Sequence, residues 1–372
     1  MKTKSTIKLC CIFNYPPLYR QSIYKKIDET FDTQFYFGRE VEKGKNSGIK
    51  KLDFTIFKKH PLEFDNVVLF HRFLWRSKIV FLPLSRKYTH FLLTGDLCWS
   101  YIPFFFFCKL MRKKVYAWGH GRKKKTKIWS IARYLYNNVD KFFVYGERGK
   151  QRLVELGVPQ NKLTVIYNSL NEGVNPDAQQ AFKSDIYEQH FSNCNPVLIF
   201  VGRLTPVKRL DWLIRIVYEQ KLSGHPYNLV IVGNGEEYNA LKEYVRHSNI
   251  DDLVWFYGEC YDSNILSGLL YNADLCISPG NVGLTAMRAM EYGVPVISHD
   301  NFEKQMPEYE AIIEGKTGAL YKFEDFDDLK YQINNWFDKM HDRDVIRKNC
   351  YDVINNHFNS NYQIKILHET IK

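Results

Sequence analysis

The sequence predicts an α/β protein built of two parallel-sheet domains, and three observations carry that prediction. Short apolar runs alternate with amphipathic stretches at the spacing of βαβ units. The alternation lapses over residues 171–194, a polar stretch without strong periodicity, and then restarts. The length of 372 residues exceeds one ordinary domain and suits two. Hydrophobic content of 45% and aromatic content of 16% supply two substantial cores, which excludes a disordered or fibrous chain.

Taken in order, the first half offers strands at 8–14, 34–38, 67–70, 91–94, 115–118 and 141–145. Helices are expected at 20–29, 99–112, 128–137 and 146–156, between or after those strands. The second half offers strands at 196–202, 228–233, 253–258, 273–278 and 294–298, again separated by helices. In such sheets ligands bind beyond the strand C-termini, so the loops at those ends are where chemistry is sought. The domains are placed at residues 1–180 and 181–350, with a terminal helical segment at 351–372.

Charge is divided unevenly. Residues 1–183 carry a net +20 and residues 184–372 a net −9, within a chain of net +11. The split points to an anionic partner for the first half. Eight scattered cysteines form no Cys-x-x-Cys or Cys/His metal pattern, as in reduced thiols of a cytoplasmic protein. No apolar run approaches eighteen residues, and residues 5–13 read as a buried first strand rather than a leader.

The segment 278–298, SPGNVGLTAMRAMEYGVPVIS, holds the strongest local signal. An apolar strand ends, Gly280 and Gly283 turn the chain, and a helix starts at Leu284 and Thr285. Unpaired N–H groups and the helix dipole favour phosphate at such a turn. Upstream, Val201-Gly202-Arg203 leaves a buried strand, and Lys208 follows five residues later. Two cations in that loop suit a diphosphate. Gly233-Asn234-Gly235 makes a third turn after a strand; a dinucleotide fingerprint is excluded because Tyr238 stands where its last glycine would be. In the first half, His120 is flanked by Gly119 and Gly121 after a strand. Residues 112–127 hold eight cations and no acid: Arg112, Lys113, Lys114, Arg122, Lys123, Lys124, Lys125 and Lys127. With Trp99, Tyr101 and Phe104–Phe107 nearby, they suit an anionic membrane surface, with at least half of the four phenylalanines read as core. No nucleic-acid motif accompanies them, so nucleic acid is not expected as a partner. Arg20, in the turn after the first strand, is read as a contact for an acceptor or a phosphate.

These residues together resemble the family-4 retaining glycosyltransferases. The family pattern runs Ser-x-x-Glu-Gly-x-Gly-Leu-x-x-x-Glu-Ala-Met-x-x-Gly-x-Pro-Val, and this chain keeps Ser278, Gly283, Leu284, Ala289, Met290, Gly293, Pro295 and Val296 in register. Gly202, Arg203, Leu204 and Lys208 match the family's Gly-Arg-Leu-x-x-x-Lys. Gly280 and Arg288 stand where the family has its two glutamates, which usually meet the transferred sugar and the ribose. The resemblance implies a GT-B architecture: two Rossmann-like domains facing a central cleft, the C-terminal helix crossing back to the first. It also implies Arg203 and Lys208 on the donor diphosphate, His120 near the sugar, and no divalent metal or other cofactor. Gly202, Gly233, Gly235, Asn281, Gly283, Leu284, Thr285, Arg288 and Glu308 are expected to line the donor site. Three readings of the missing glutamates stay open: a different donor sugar, with Asn281, Asp300 or Glu308 substituting; Arg288 on phosphate or paired with Glu291; or a chain that only binds.

The expectation is a cytoplasmic transferase, peripheral on the inner membrane face, moving sugar from a UDP- or GDP-sugar to a saccharide or lipid-linked acceptor. The alternatives are an inactive scaffold and a sugar-nucleotide epimerase.

Overall fold

Apolar residues in the first-half strands alternate between two faces, so a sheet built from them needs cover on both sides. The computed structural model describes residues 7–39, 50–69, 73–96, 98–121, 124, 129–339 and 342–372. The chain divides into two units, Met1–Glu172 with Asn359–Lys372, and Gly173–Phe358.

In the first unit β1 (Lys8–Phe13), β2 (Asp32–Gly38) and β3 (Leu62–Phe64) precede a two-stranded hairpin of β4 (Val67–Leu69) and β5 (Phe73–Trp75). β6 (His90–Thr94), β7 (Lys114–Gly119), β8 (Lys141–Val144) and β9 (Leu163–Val165) follow. The main sheet is wholly parallel, in the order β3-β2-β1-β6-β7-β8-β9. Cys10 and Ile12 of β1 pack on one face with Phe104 and Phe105 of helix Tyr101–Leu110. Leu9, Cys11 and Phe13 pack on the other with Ile23 and Ile27 of helix Gln21–Thr30 and Leu367 of helix Ser360–Thr370. The terminal helix thus completes the core of the first unit.

The second unit carries β10 (Val197–Val201), β11 (Asn228–Val232), β12 (Val254–Gly258), β13 (Leu275–Ser278), β14 (Val296–His299) and β15 (Gly318–Tyr321). Its sheet is also parallel, in the order β12-β11-β10-β13-β14-β15. Strand order reverses between β1 and β6 in one sheet and between β10 and β13 in the other. Crevices for ligands open at such reversals.

Three expectations shift. The strand expected at 67–70 belongs to the hairpin, outside the main sheet, and its last residue lies outside the described residues. The polar stretch at 171–194 includes helix Ile186–Phe191, whose Tyr187 and Phe191 are buried within the second unit. Short edge strands β3, β9 and β15 escaped the sequence reading, since three or four residues give periodicity little to act on.

Candidate active site

At the reversal in the second unit, two loops leave neighbouring strands and are tied to each other. The β10 loop carries Gly202, Arg203 and Lys208; the β13 loop carries Gly280, Asn281 and Gly283. Gly280 N donates to Lys208 O at 3.2 Å. Lys208 Nζ donates to Asn281 Oδ1 at 2.7 Å and also to the Asn281 backbone carbonyl. A side chain at residue 280 would place its Cβ 2.1 Å from Val207 O and 2.9 Å from Lys208 Cα. Both atoms are backbone and cannot swing aside. The residue at the family's first glutamate position is therefore glycine because the cationic loop passes directly over it.

The same reasoning explains the third turn. A Cβ on Gly233 would lie 1.9 Å from Gly202 O, and one on Gly235 would lie 2.3 Å from Leu204 O. Leu204 N donates to Asn234 O at 2.9 Å, and Glu237 N to Leu204 O at 3.1 Å. These glycines let the β11 loop brace the β10 loop. Gly283 differs: its φ is +55°, and a Cβ there would meet only Met306 Cγ, at 3.8 Å. Glycine is needed at 283 for its backbone conformation, and the space beside it is open.

The β13 loop is held from below by buried polar side chains. Ser298 Oγ donates to Ser278 O at 2.8 Å and to Gly280 O at 3.1 Å. Gln305 Oε1 accepts from Val282 N at 3.0 Å, while its Nε2 donates to Ser298 Oγ at 2.7 Å and His299 O at 2.9 Å. Tyr321 OH donates to Pro279 O. Sequence reasoning missed Gln305 and Tyr321 as supports, because nothing in their spacing distinguishes them from ordinary core residues.

Electrostatically the two loops form a cationic site. Burial first, then the nearby Arg203 charge, pulls the Lys208 ammonium pKa down to about 8. Arg203 is exposed, and neither cation pairs with a carboxylate among the described residues. Helix Leu284–Glu291 begins at Gly283 with no side-chain cap, so its positive end faces the same loops. Two like charges with no counter-ion beside an uncapped helix start form a site for an anion, and a diphosphate supplies the charge and oxygens they lack.

The other expected donor residues are placed as follows. Thr285 Oγ1 donates to Val201 O at 3.1 Å, tying the helix to β10. Leu284 is half-buried beside it. Arg288 Nε stands 3.9 Å from Glu291 Oε2, the expected i,i+3 ion pair. Glu308 is 1% exposed, in a short turn after β14. Asp300 Oδ1 accepts from Phe323 N at 3.0 Å.

His120 belongs to the first unit. It follows β7 and is exposed, with its ring edge-on to Tyr145 at 5.0 Å. Of the basic segment, Arg122, Lys123, Lys125 and Lys127 lie outside the described residues. Arg112 and Lys124 are exposed. Lys113 and Lys114 depart from the expectation that these cations face phosphate. Lys113 Nζ donates to the carbonyls of Ser85 and Tyr88 at 3.0 and 2.5 Å, and Lys114 Nζ pairs with Asp140 Oδ1 at 2.9 Å. Their partners come from distant turns that a linear reading does not bring near. Phe104 and Phe105 are buried, whereas Phe106 is 64% exposed, as are Phe81 at 64% and Leu110 at 63%.

Among the described residues no cluster of three metal-ligating side chains occurs. The two Asp-x-Asp sequences, at 325–327 and 342–344, open helices instead. Asp325 accepts from Asp328 N, and Asp342 from Asp344 N and Val345 N. No helix among the described residues is long and apolar enough to cross a membrane.

Comparison with known proteins finds likenesses that include these loops. Residues 183–353 match the model of glycosyl transferases group 1. The chain is 27% identical over 206 residues to an uncharacterized 41.2 kDa protein in the cps region of Klebsiella pneumoniae, covering 55% of this chain and about half (53%) of that protein. It is 24% identical over 306 residues to the lipopolysaccharide 1,6-galactosyltransferase of Escherichia coli, covering 75% of each. The Anabaena protein Alr3699/HepE, solved in complex with UDP, superposes with a TM-score of 0.70 at 16% identity, over 98% of this chain and 99% of that one. The likeness shows the fold, and the GT-B class expected from sequence stands in its two parallel-sheet α/β domains.

Proposed function

We propose that the chain is a retaining glycosyltransferase taking a nucleotide-diphosphate sugar as donor, a reading supported by the match of residues 183–353 to the model of glycosyl transferases group 1. The observation that carries this reading is the cation pair Arg203 and Lys208, without a carboxylate, at the strand reversal beside an uncapped helix start. Charge accumulates on the leaving diphosphate as the glycosidic bond breaks, and fixed donors aimed there lower the barrier. The leaving phosphate then takes the acceptor's proton on the same face of the sugar, so configuration is kept and no metal is required. Arg203 and Lys208 hold the diphosphate; Asn281 fixes the Lys208 ammonium, and the helix beginning at Leu284 adds its dipole. His120 is assigned to positioning the sugar from the acceptor side.

The acceptor is a saccharide or lipid-linked saccharide of a cell-surface polysaccharide or glycolipid, in keeping with the kinds of protein this chain resembles. Exposed Phe81, Phe106 and Leu110, with Lys109, Arg112 and Lys124 also exposed, suit peripheral contact with an anionic cytoplasmic membrane face.

One experiment tests the reading: a UDP- and GDP-sugar panel followed by thermal shift, then by transfer, with and without anionic vesicles. Stabilisation by one nucleotide and transfer with retained configuration are expected, with the chain sedimenting on the vesicles. Absence of stabilisation by any nucleotide would overturn the transferase reading. Binding without transfer would favour a scaffold, and acceptor-independent conversion an epimerase. A chain left in the supernatant would remove the membrane contact.

A further inference from the structure

Arg20 closes the turn after β1, at the C-terminal edge of the first sheet where strand order reverses. Its guanidinium carbon lies 5.2 Å from the Trp118 ring, 5.2 Å from the Tyr145 ring and 5.6 Å from the Tyr19 ring. Nη1 is buried and has no hydrogen-bond acceptor among the described residues. No carboxylate pairs with the side chain there either. Tyr145, which forms one wall of this ring cage, also carries the exposed His120 ring against its edge.

A buried guanidinium N–H needs an acceptor, and leaving it unmet costs stability. The same unit shows how it meets that need for structural purposes: Arg76 is fully buried and is given Asp96, Asn66 and Tyr101. Arg20 is given rings, which surround the guanidinium but do not neutralise it. An arginine set among rings, short of an acceptor at Nη1 and placed at a ligand-binding sheet edge, is built for an oxyanion that arrives from outside.

We infer that Arg20 recognises an oxyanion on the acceptor, so that the first unit takes an acceptor bearing a phosphoester or a carboxylate. The inference rests on the reading of the chain as a transferase whose first unit takes the acceptor. It narrows the acceptor class from any saccharide to an anionic one, and it makes Arg20 a specificity residue separate from the donor loops.

The test titrates the full chain, saturated with UDP, with three probes: neutral methyl glucoside, methyl glucuronide and glucose 6-phosphate. The expected result is that one anionic probe binds about tenfold or more tightly than methyl glucoside. Which one does so separates the carboxylate source from the phosphoester source. Arg20→Met, whose thioether still packs between the rings, should abolish that preference, leave UDP affinity unchanged and melt close to wild type. The inference is overturned if wild type shows no anionic preference or if Arg20→Met keeps it. It is also overturned if Arg20→Met loses the fold, since Arg20 would then be a structural cation. UDP affinity reads the transferase reading separately: its absence would sink that reading, while the probe preference can still be measured without nucleotide.

Discussion

Arg76 in the first unit is fully buried, and Asp96 Oδ2 accepts from its Nη2 at 2.5 Å, Tyr101 OH from Nη1 at 3.0 Å and Asn66 Oδ1 from Nε at 2.8 Å. Lys208 in the second unit has also lost much of its water, yet the charge beside it is Arg203, of its own sign. Arg76 follows β5 of the antiparallel hairpin, whereas Lys208 lies in the loop after the parallel strand β10. One is complete within the fold, and the other is completed by what binds. The difference separates a cation that holds a domain together from one that holds a ligand, and it does so without reference to any relative.

The contrast can be broken first at Arg76. Arg76→Met should lower unfolding stability by about 3 kcal/mol, toward the lower end for a broken buried pair, because Asp96 keeps 29% of its side-chain exposure. Chemical denaturation checks this, and affinity for UDP should stay unchanged. Selective loss of UDP binding without loss of stability would erase the distinction. A smaller effect is expected at Gly280. Gly280→Ala forces the Val207–Lys208 backbone away and should cost about 2 kcal/mol, in the range of overpacked cores, with weaker UDP binding as the cationic loop shifts. The family's glutamate introduced at 280 would make the clash worse, so Gly280→Glu is expected to lose binding rather than restore a signature. Wild-type stability and affinity in Gly280→Ala would mean that the loop gives way freely.

Much of this was legible in the sequence. The strands that form the middle of both sheets are apolar runs bounded by glycine or charge, and they lie where periodicity puts them. The phosphate-type turn at 280–284 and the Arg203–Lys208 loop were also readable, because glycine spacing and cation spacing are local facts. What was not legible depends on residues far apart in the chain meeting in space. Lys114 finds Asp140, and Lys113 finds two carbonyls, so a run of cations that reads as uncompensated is partly neutralised. Gly280 reads as a lost glutamate until Val207 O is seen 2.1 Å from where its Cβ would be. Gln305, Ser298 and Tyr321 support the β13 loop through hydrogen bonds that no motif encodes. Arg20 and Arg76 look alike in the sequence, and only the presence of Asp96 beside one of them tells them apart.

The central claim is that Lys208 waits for a diphosphate, and calorimetric titration of UDP into wild type and Lys208→Met at pH 8.5 tests it most directly. With its pKa lowered from 10.5 to about 8, the charged form is disfavoured in the free fold. Stability of the free chain should therefore rise as pH climbs from about 8 toward 10.5, and binding an anion should reverse the shift and draw a proton in. Repeating the titration in buffers of different ionisation enthalpy counts that proton. The account predicts proton uptake in wild type, its absence in Lys208→Met, and affinity about ten- to a hundredfold weaker in the variant, with a melting temperature no lower than wild type. Equal UDP affinity and no proton uptake in either protein would contradict it.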